Sequence, residues 1–214
     1  MKTVRLMLGG NTTNIPDLTM LHGKTWIGAD HGNLVLLEQN IVPQISVGDF
    51  DSLTPLEKNL MELQVNDIRY ANAIKDYTDS QLALDIALTD LKAQQILIYG
   101  ATGGRLDHEL VNLLLPLDLS SESDIGRLKI IDRQNVISYF TPGRYTLTKI
   151  ADMDYLAFVN LVPVNNFTIQ GAKYPLKSTN LARPISFASN EFVGYAPVDF
   201  AFTDGVMAVI QSRG

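Results

Sequence analysis

Short apolar runs alternate with helical periods through the first 115 residues of the chain. Residues 4–8, 25–29, 44–47, 67–71 and 96–99 are apolar runs of strand length. Between them, Thr54-Pro55-Leu56-Glu57 supplies an N-cap threonine, a proline for the first helical position and a glutamate to complete a capping box. Thr78-Asp79-Ser80-Gln81 repeats that signal, and Leu84, Leu88 and Leu91 follow at i, i+4 and i+7. A third helix is expected after Gly103-Gly104, through Leu110, Val111, Leu113 and Leu114, until Pro116. Strands alternating with helices predict an open, mainly parallel α/β sheet with helices on both faces.

The pattern changes over residues 116–126, which are rich in Ser, Asp and Glu. A domain boundary is expected there, dividing the chain into residues 1–120 and 121–214. Helical periodicity then disappears. Residues 128–131, 136–140, 144–149, 155–162, 167–170, 186–188, 191–195 and 206–211 read as strands. They are punctuated by Pro142-Gly143, Val164-Asn165-Asn166 and Asp204-Gly205. Many short strands with turn signals predict a small β-sandwich or barrel. There is no internal repeat and no low-complexity tract.

At 46% hydrophobic and 19% charged residues the chain is globular. No apolar run approaches the roughly 18 residues of a membrane span. The apolar stretch at the N-terminus is short and interrupted by Arg5, so it reads as a first strand rather than a signal peptide. With no cysteine there is no disulfide frame and no thiolate ligand or nucleophile, and a cytoplasmic protein is expected. The net charge of −6 arises entirely before residue 149. An acidic chain is a poor nucleic-acid binder, because Lys and Arg make most phosphate contacts.

That acidity is clustered where predicted strands end, the edge at which open α/β sheets bind ligands. In Gly48-Asp49-Phe50-Asp51-Ser52, extended backbone would put both carboxylates on one face, with Cα atoms roughly 6.5 Å apart. At an effective dielectric near 20 they repel by about 2–3 kcal/mol, which a cation or a proton would relieve. A lone Asp-x-Asp is ordinarily a solvated turn. In Lys75-Asp76-Tyr77-Thr78-Asp79, helix-start chemistry explains Thr78 and one carboxylate. It does not explain Asp76 beside Lys75, which suits a metal or phosphate site. In Gly100-Ala101-Thr102-Gly103-Gly104-Arg105-Leu106-Asp107-His108, glycines allow close backbone approach to a phosphate, the helix start favours an anion, and Arg105 is a bidentate donor. The Gly-Lys-Ser/Thr ending of a P-loop is missing. Gly28-Ala29-Asp30-His31-Gly32, taken alone, reads as a turn. His22, His31 and His108 lack metal-ligand spacing, and no Ser-His-Asp arrangement is legible. Trp26, inside an apolar run, reads as core.

In this order and spacing the clusters closely resemble the thiamine pyrophosphokinases. The resemblance is carried by Gly48-Asp49-Phe50-Asp51-Ser52, by Asp76-Tyr77-Thr78-Asp79 ahead of Ala83-Leu84, and by Gly103-Gly104-Arg105-Leu106-Asp107-His108 with Asn112. Ser189-Asn190-Glu191-Phe192 also looks like that family's substrate segment. The resemblance implies an α/β catalytic domain followed by a β-sandwich that binds thiamine and dimerises. It implies a homodimer with active sites between subunits, and Mg²⁺-dependent transfer of a pyrophosphoryl group from ATP to thiamine. Carried over by position, Asp49, Asp51, Asp76 and Asp79 become metal ligands and, with Arg105 and Asp107, the catalytic set. Asp30, Ser52, Lys75, Thr78, Gly103, Gly104, Arg105, His108 and Asn112 become nucleotide contacts, and Ser189 and Asn190 thiamine contacts. The chain departs from the family pattern at His31-Gly32, where Gly-Gly is usual, and residues 178–184 do not align.

Such a transfer attacks the β-phosphorus and releases AMP, and its catalysis is mostly positioning and charge neutralisation. Asp76 or Asp107 would accept the alcohol proton. Two competing readings are a Mg²⁺-dependent phosphohydrolase that needs no acceptor and a non-catalytic sensor of thiamine or its phosphate esters. So many carboxylates beside a phosphate-type glycine turn argue against the sensor.

Overall fold

A computed structural model describes residues 1–71 and 77–214. The apolar runs of the first half form β1 (Thr3–Met7), β2 (Trp26–Ala29), β3 (Ile45–Gly48), β4 (Ile68–Tyr70) and β5 (Gln95–Tyr99). They lie in the order β5-β1-β2-β3-β4, and every pair is parallel. β2 and β3 are buried at every residue, as strands covered on both faces are. The accompanying helices are α1 (Gly32–Glu38), α2 (Pro55–Gln64), α3 (Asp79–Thr89) and α4 (Leu106–Leu114). Both expected capping boxes form, Thr54 with Glu57 on α2 and Thr78 with Gln81 on α3.

α1 is the helix that the pattern does not announce. It has 7 residues, and Gly32 through Leu37 are all buried. Val35 and Leu36 pack with Trp26 and Tyr99, while Leu34 and Leu37 pack with Phe50 and Met61. A short helix buried all round shows no amphipathic period.

From β1 to β4 the chain crosses the sheet in one direction, then returns to set β5 on the other side of β1. The loops after β1 and β5 therefore part at a topological switch point, where open α/β sheets form their crevice.

Two compact units divide the chain: Met1–Leu115 with Ile130–Arg133, and Pro116–Lys129 with Gln134–Gly214. After α5 (Glu122–Ile125) come β6 (Leu128–Ile131), β7 (Asn135–Phe140), β8 (Gly143–Leu147), β9 (Tyr155–Asn160), β10 (Val164–Gln170), β11 (Leu176–Leu181), β12 (Ser186–Glu191), β13 (Val198–Phe202) and β14 (Met207–Ser212). Within the second unit, β12-β9-β14-β7 face β11-β10-β13-β8, all antiparallel. Phe158 of one layer meets Phe167 and Phe200 of the other at 5.6 and 5.3 Å between ring centroids. This is the β-sandwich.

Strand boundaries differ from expectation at bulges and at one polar edge. The run at 186–188 is the start of β12, which is interrupted by a bulge between Phe187 and Asn190 and ends at Glu191, so residues 192–195 of the expected 191–195 strand lie beyond it. The supposed turn at 164–166 lies inside β10, where Asn166 takes a φ of 54°. Asn tolerates this left-handed conformation, so a bulge reads as a turn. β11 and β13 were not anticipated. In β11 only Leu181 is buried, so the strand carries almost no apolar signal. Among the described residues no helix is long and apolar enough to cross a membrane.

Candidate functional site

A cavity of about 330 Å³ opens at the switch point of the first unit. Its floor is Leu8, Gly9 and Gly10 after β1 and Gly100 and Ala101 after β5. Its walls include Asp30, the first residues of α3, and Arg105, His108 and Asn112. Two glycines make the floor possible. Gly10 N donates to Gly100 O at 2.9 Å, and a Cβ on Gly10 would stand 2.2 Å from that oxygen. Gly100 itself has a φ of 66°, which glycine adopts without steric cost.

Three carboxylates converge beside this cavity. Asp30, Asp49 and Asp51 each offer an oxygen within 4.8 Å of the others. The cause is not strand alternation, as the sequence suggested. β3 stops at Gly48, and Phe50 turns to a φ of 57°. Its buried ring lies edge-on to Tyr70 at 5.5 Å. Asp51 N then donates to Asp49 Oδ1 at 3.1 Å, so a tight turn, anchored by a core aromatic, gathers the pair. Repulsion from Asp49, with smaller contributions from burial and from Asp30, raises the Asp51 pKa above the ordinary carboxylate value. Asp30 sits after β2 with a φ of 44° and accepts a hydrogen bond from Ser52 Oγ on Oδ2 at 2.8 Å. Its Oδ1 is buried with no hydrogen-bond partner among the described residues. A buried acceptor without a donor is costly unless a ligand supplies the partner.

The opposite wall is the start of α4. Arg105 grips Asp107 with both ends of its guanidinium, Nε to Oδ1 at 3.2 Å and Nη2 to Oδ2 at 2.6 Å. That grip holds the Asp107 carboxyl below its usual pKa range. The pair is exposed, so solvent screens it strongly. His108 N donates to Asp107 Oδ1 at 3.0 Å, and Gly103 N to Glu109 Oε2 at 3.0 Å. An acidic side chain therefore occupies a backbone amide expected to face phosphate. Gly104 lines the cavity. Asn112 is buried, with Nδ2 donating to Ala101 O at 3.1 Å. Thr78 caps α3 and, with Asp79, faces the cavity. Lys75 and Asp76 lie outside the described residues.

Ser189 and Asn190 belong to β12 of the second unit. Ser189 is exposed at the bulge with a φ of 63°. Asn190 is buried. Its Oδ1 accepts from Tyr174 N and Glu191 N, and its Nδ2 donates to Tyr174 O, each at 2.9 Å. The carboxamide thus holds the chain at Tyr174 against β12.

Residues 17–125 match the family model "Thiamin pyrophosphokinase, catalytic domain", and residues 144–207 match "Thiamin pyrophosphokinase, vitamin B1 binding domain". The chain belongs to the thiamine pyrophosphokinase family. It is 36% identical to a thiamine pyrophosphokinase of Bacillus subtilis (strain 168) over 99% of both chains. A crystal structure of a thiamin pyrophosphokinase family protein from Enterococcus faecalis matches with a TM-score of 0.92 at 39% identity, covering 100% of each chain. The yeast enzyme shares the fold, with a TM-score of 0.77 at 14% identity over 99% of this chain and 86% of its own. Thiamine pyrophosphokinases transfer pyrophosphate from ATP to thiamine, giving thiamine diphosphate and AMP.

Against the thiamine pyrophosphokinase pattern, the His31-Gly32 departure has a steric reading. A Cβ at position 32 would stand 2.1 Å from Met7 O, so that glycine is required. Position 31 merely precedes α1 and accommodates a histidine. Gly9, Gly10 and Glu109 line the cavity but lie outside the clusters read from the sequence. A signal for the first two existed: paired glycines directly after the first strand are the place where a parallel sheet admits a ligand.

Proposed function

We propose that this chain performs the family's transfer with Mg²⁺ held by Asp30, Asp49 and Asp51. The observation that carries the reading is the buried Asp30 Oδ1, without a hydrogen-bond partner among the described residues and set among two further carboxylates. Hard oxygen donors of this kind suit a magnesium ion. When bound, the ion would offset the charge of the ATP phosphates. Asp79 borders the cavity, and Asp76 keeps the role implied by resemblance.

The phosphates enter the cavity at the switch point, toward the amide-rich starts of α3 and α4. Thr78, Gly104, His108 and Asn112 line their path, and Ser52 and Lys75 keep the roles implied by resemblance. Arg105 exchanges Asp107 for a phosphate, which suits its planar fork equally well. The thiamine hydroxyl oxygen bonds to the β-phosphorus, and the bond from that phosphorus to the bridging α,β-oxygen breaks. That oxygen leaves with AMP. The hydroxyl proton passes to a carboxylate. Asp76 and Asp107 are the two candidates for that carboxylate.

Ser189 contacts thiamine, and Asn190 holds the strand that presents it. The second unit carries thiamine recognition and dimer contacts. On the first unit, an exposed apolar row along α4, Leu106, Leu110 and Leu114, at 69%, 50% and 42% exposure, offers a further surface for dimer contacts. Light scattering tests it: a species of one chain mass at all concentrations would reject the dimer.

The deciding experiment is product analysis with thiamine, ATP and Mg²⁺, with EDTA and thiamine-free controls. Thiamine diphosphate and AMP appearing together, both abolished by EDTA, support the reading. ADP or free phosphate released regardless of thiamine would overturn it.

A further inference from the structure

Asn33 is fully buried, at 0% exposure, in the second position of α1. Its side-chain hydrogen bonds run to Asp30 and to Ser46. Its Nδ2 donates to Asp30 O at 2.9 Å, and its backbone N donates to the same oxygen at 3.2 Å. Its Oδ1 accepts from Ser46 Oγ at 2.5 Å. The orientation of the amide is fixed by these partners, since a flip would set oxygen against the Asp30 carbonyl. Ser46 lies on β3, opposite Gly28 of β2. A Cβ on Gly28 would stand 2.1 Å from Asn33 Oδ1, so the glycine leaves room for this one carboxamide.

The consequence falls on Asp30. Its N donates to Val47 O at 2.9 Å, and its carbonyl is clamped twice by Asn33. Between these anchors it holds a φ of 44°, a conformation that costs a non-glycine residue of order 1–3 kcal/mol unless its surroundings enforce it. In that conformation Oδ2 meets Ser52, and Oδ1 is left buried beside Asp49 and Asp51. Among the described residues, Asn33 alone donates to the Asp30 carbonyl oxygen.

We propose that Asn33 is a positioning residue for the cation site: with Ser46 it locks the Asp30 backbone so that Oδ1 is aimed at the ion. The proposal rests on the assignment of Asp30, Asp49 and Asp51 as the cation site. Groups that orient a metal ligand without touching the metal are worth about 10–100-fold in affinity. Removing a buried polar group kept only for the fold would lower stability and leave metal affinity alone.

The test is Mn²⁺ binding followed by electron paramagnetic resonance on the full chain without substrates, with melting temperature measured in parallel. Asn33→Ala is expected to weaken Mn²⁺ binding about tenfold and to raise the Mg²⁺ concentration for half-maximal transfer by a similar factor. Its rate at saturating Mg²⁺ is expected to recover. A lower melting temperature with unchanged Mn²⁺ affinity overturns the proposal. Ser46→Ala, which removes one hydroxyl and keeps both clamps on Asp30, is the milder variant in case Asn33→Ala does not fold. It is expected to weaken Mn²⁺ binding by a smaller factor, about threefold, and an unchanged affinity there also overturns the proposal. Asp30→Asn separates the two levels. Parental Mn²⁺ affinity in Asp30→Asn means that the cation assignment itself fails, and the role of Asn33 with it.

Discussion

Ser52 Oγ donates to Asp30 Oδ2 at 2.8 Å across 22 residues of chain. This bond ties the turn after β3 to the end of β2, so the side chain of Asp30 stays over Asp49 and Asp51. Ser52→Ala frees the carboxylate to rotate. Titration of initial rate with Mg²⁺ is expected to show a half-maximal concentration raised by about tenfold. The same half-maximal concentration as the parent would mean that the serine bond does not orient the ligand.

Asp51 links the site to pH. Asp49 above all pushes its pKa up. A carboxyl group with a raised folded-state pKa favours folding most below the ordinary carboxylate range, about pH 4. That contribution is lost as pH rises through the raised value. In the metal-free protein this group therefore contributes less stability at neutral pH than in acid. Mg²⁺ is expected to restore stability at neutral pH by binding the folded state. In Asp51→Asn, calorimetry is expected to show a smaller Mg²⁺-induced rise in melting temperature, while transfer falls on the order of a hundredfold. An undiminished Mg²⁺ effect would remove Asp51 from the ion's ligands.

The two capping boxes give a matched pair. Thr54→Ala and Thr78→Ala each remove an N-cap oxygen, from Glu57 N on α2 and from Gln81 N on α3. Each is expected to cost about 1 kcal/mol, or roughly 2–4 °C in melting temperature. Only Thr78 faces the cavity, so only Thr78→Ala is expected to raise KM for ATP. Equal KM values in the two variants would separate the start of α3 from nucleotide binding.

Ser189 and Asn190 are adjacent but are expected to fail differently. Asn190→Ala leaves the Tyr174 carbonyl and two backbone amides without their partner, at about 1–3 kcal/mol for a buried group. Ser189→Ala removes an exposed hydroxyl and is expected to raise KM for thiamine with melting temperature unchanged. Thermal melts and thiamine kinetics on both variants check the division. A parental KM in Ser189→Ala would exclude the serine from thiamine recognition.

The local signals were legible because their causes are local. Caps at Thr54 and Thr78 follow from residues three apart. Apolar runs mark β1 to β5 because parallel strands are buried on both faces. The Asp49, Asp51 and Arg105 clusters sit at strand or helix ends that the pattern already marks. Signals failed where burial or irregularity erased periodicity: α1 is buried all round, β11 is nearly all polar, and Asn166 and Ser189 bulge.

By itself, then, the sequence determined the alternation of β1 to β5 with α2, α3 and α4, the change from α/β to β-sandwich, the family and the clusters to which most of the acidic residues belong. Tertiary structure decided which of those residues meet. Asp30 reads as a turn until β2 and β3 pair and Ser52 reaches it. Gly10 has no evident purpose until Gly100 folds against it, and Glu109 no evident partner until it takes the amide of Gly103. Asn33 is one polar residue in an apolar helix until Gly28 and Ser46 close around it. These relationships join residues on different elements through sheet register and close packing, and no periodicity along one element encodes them.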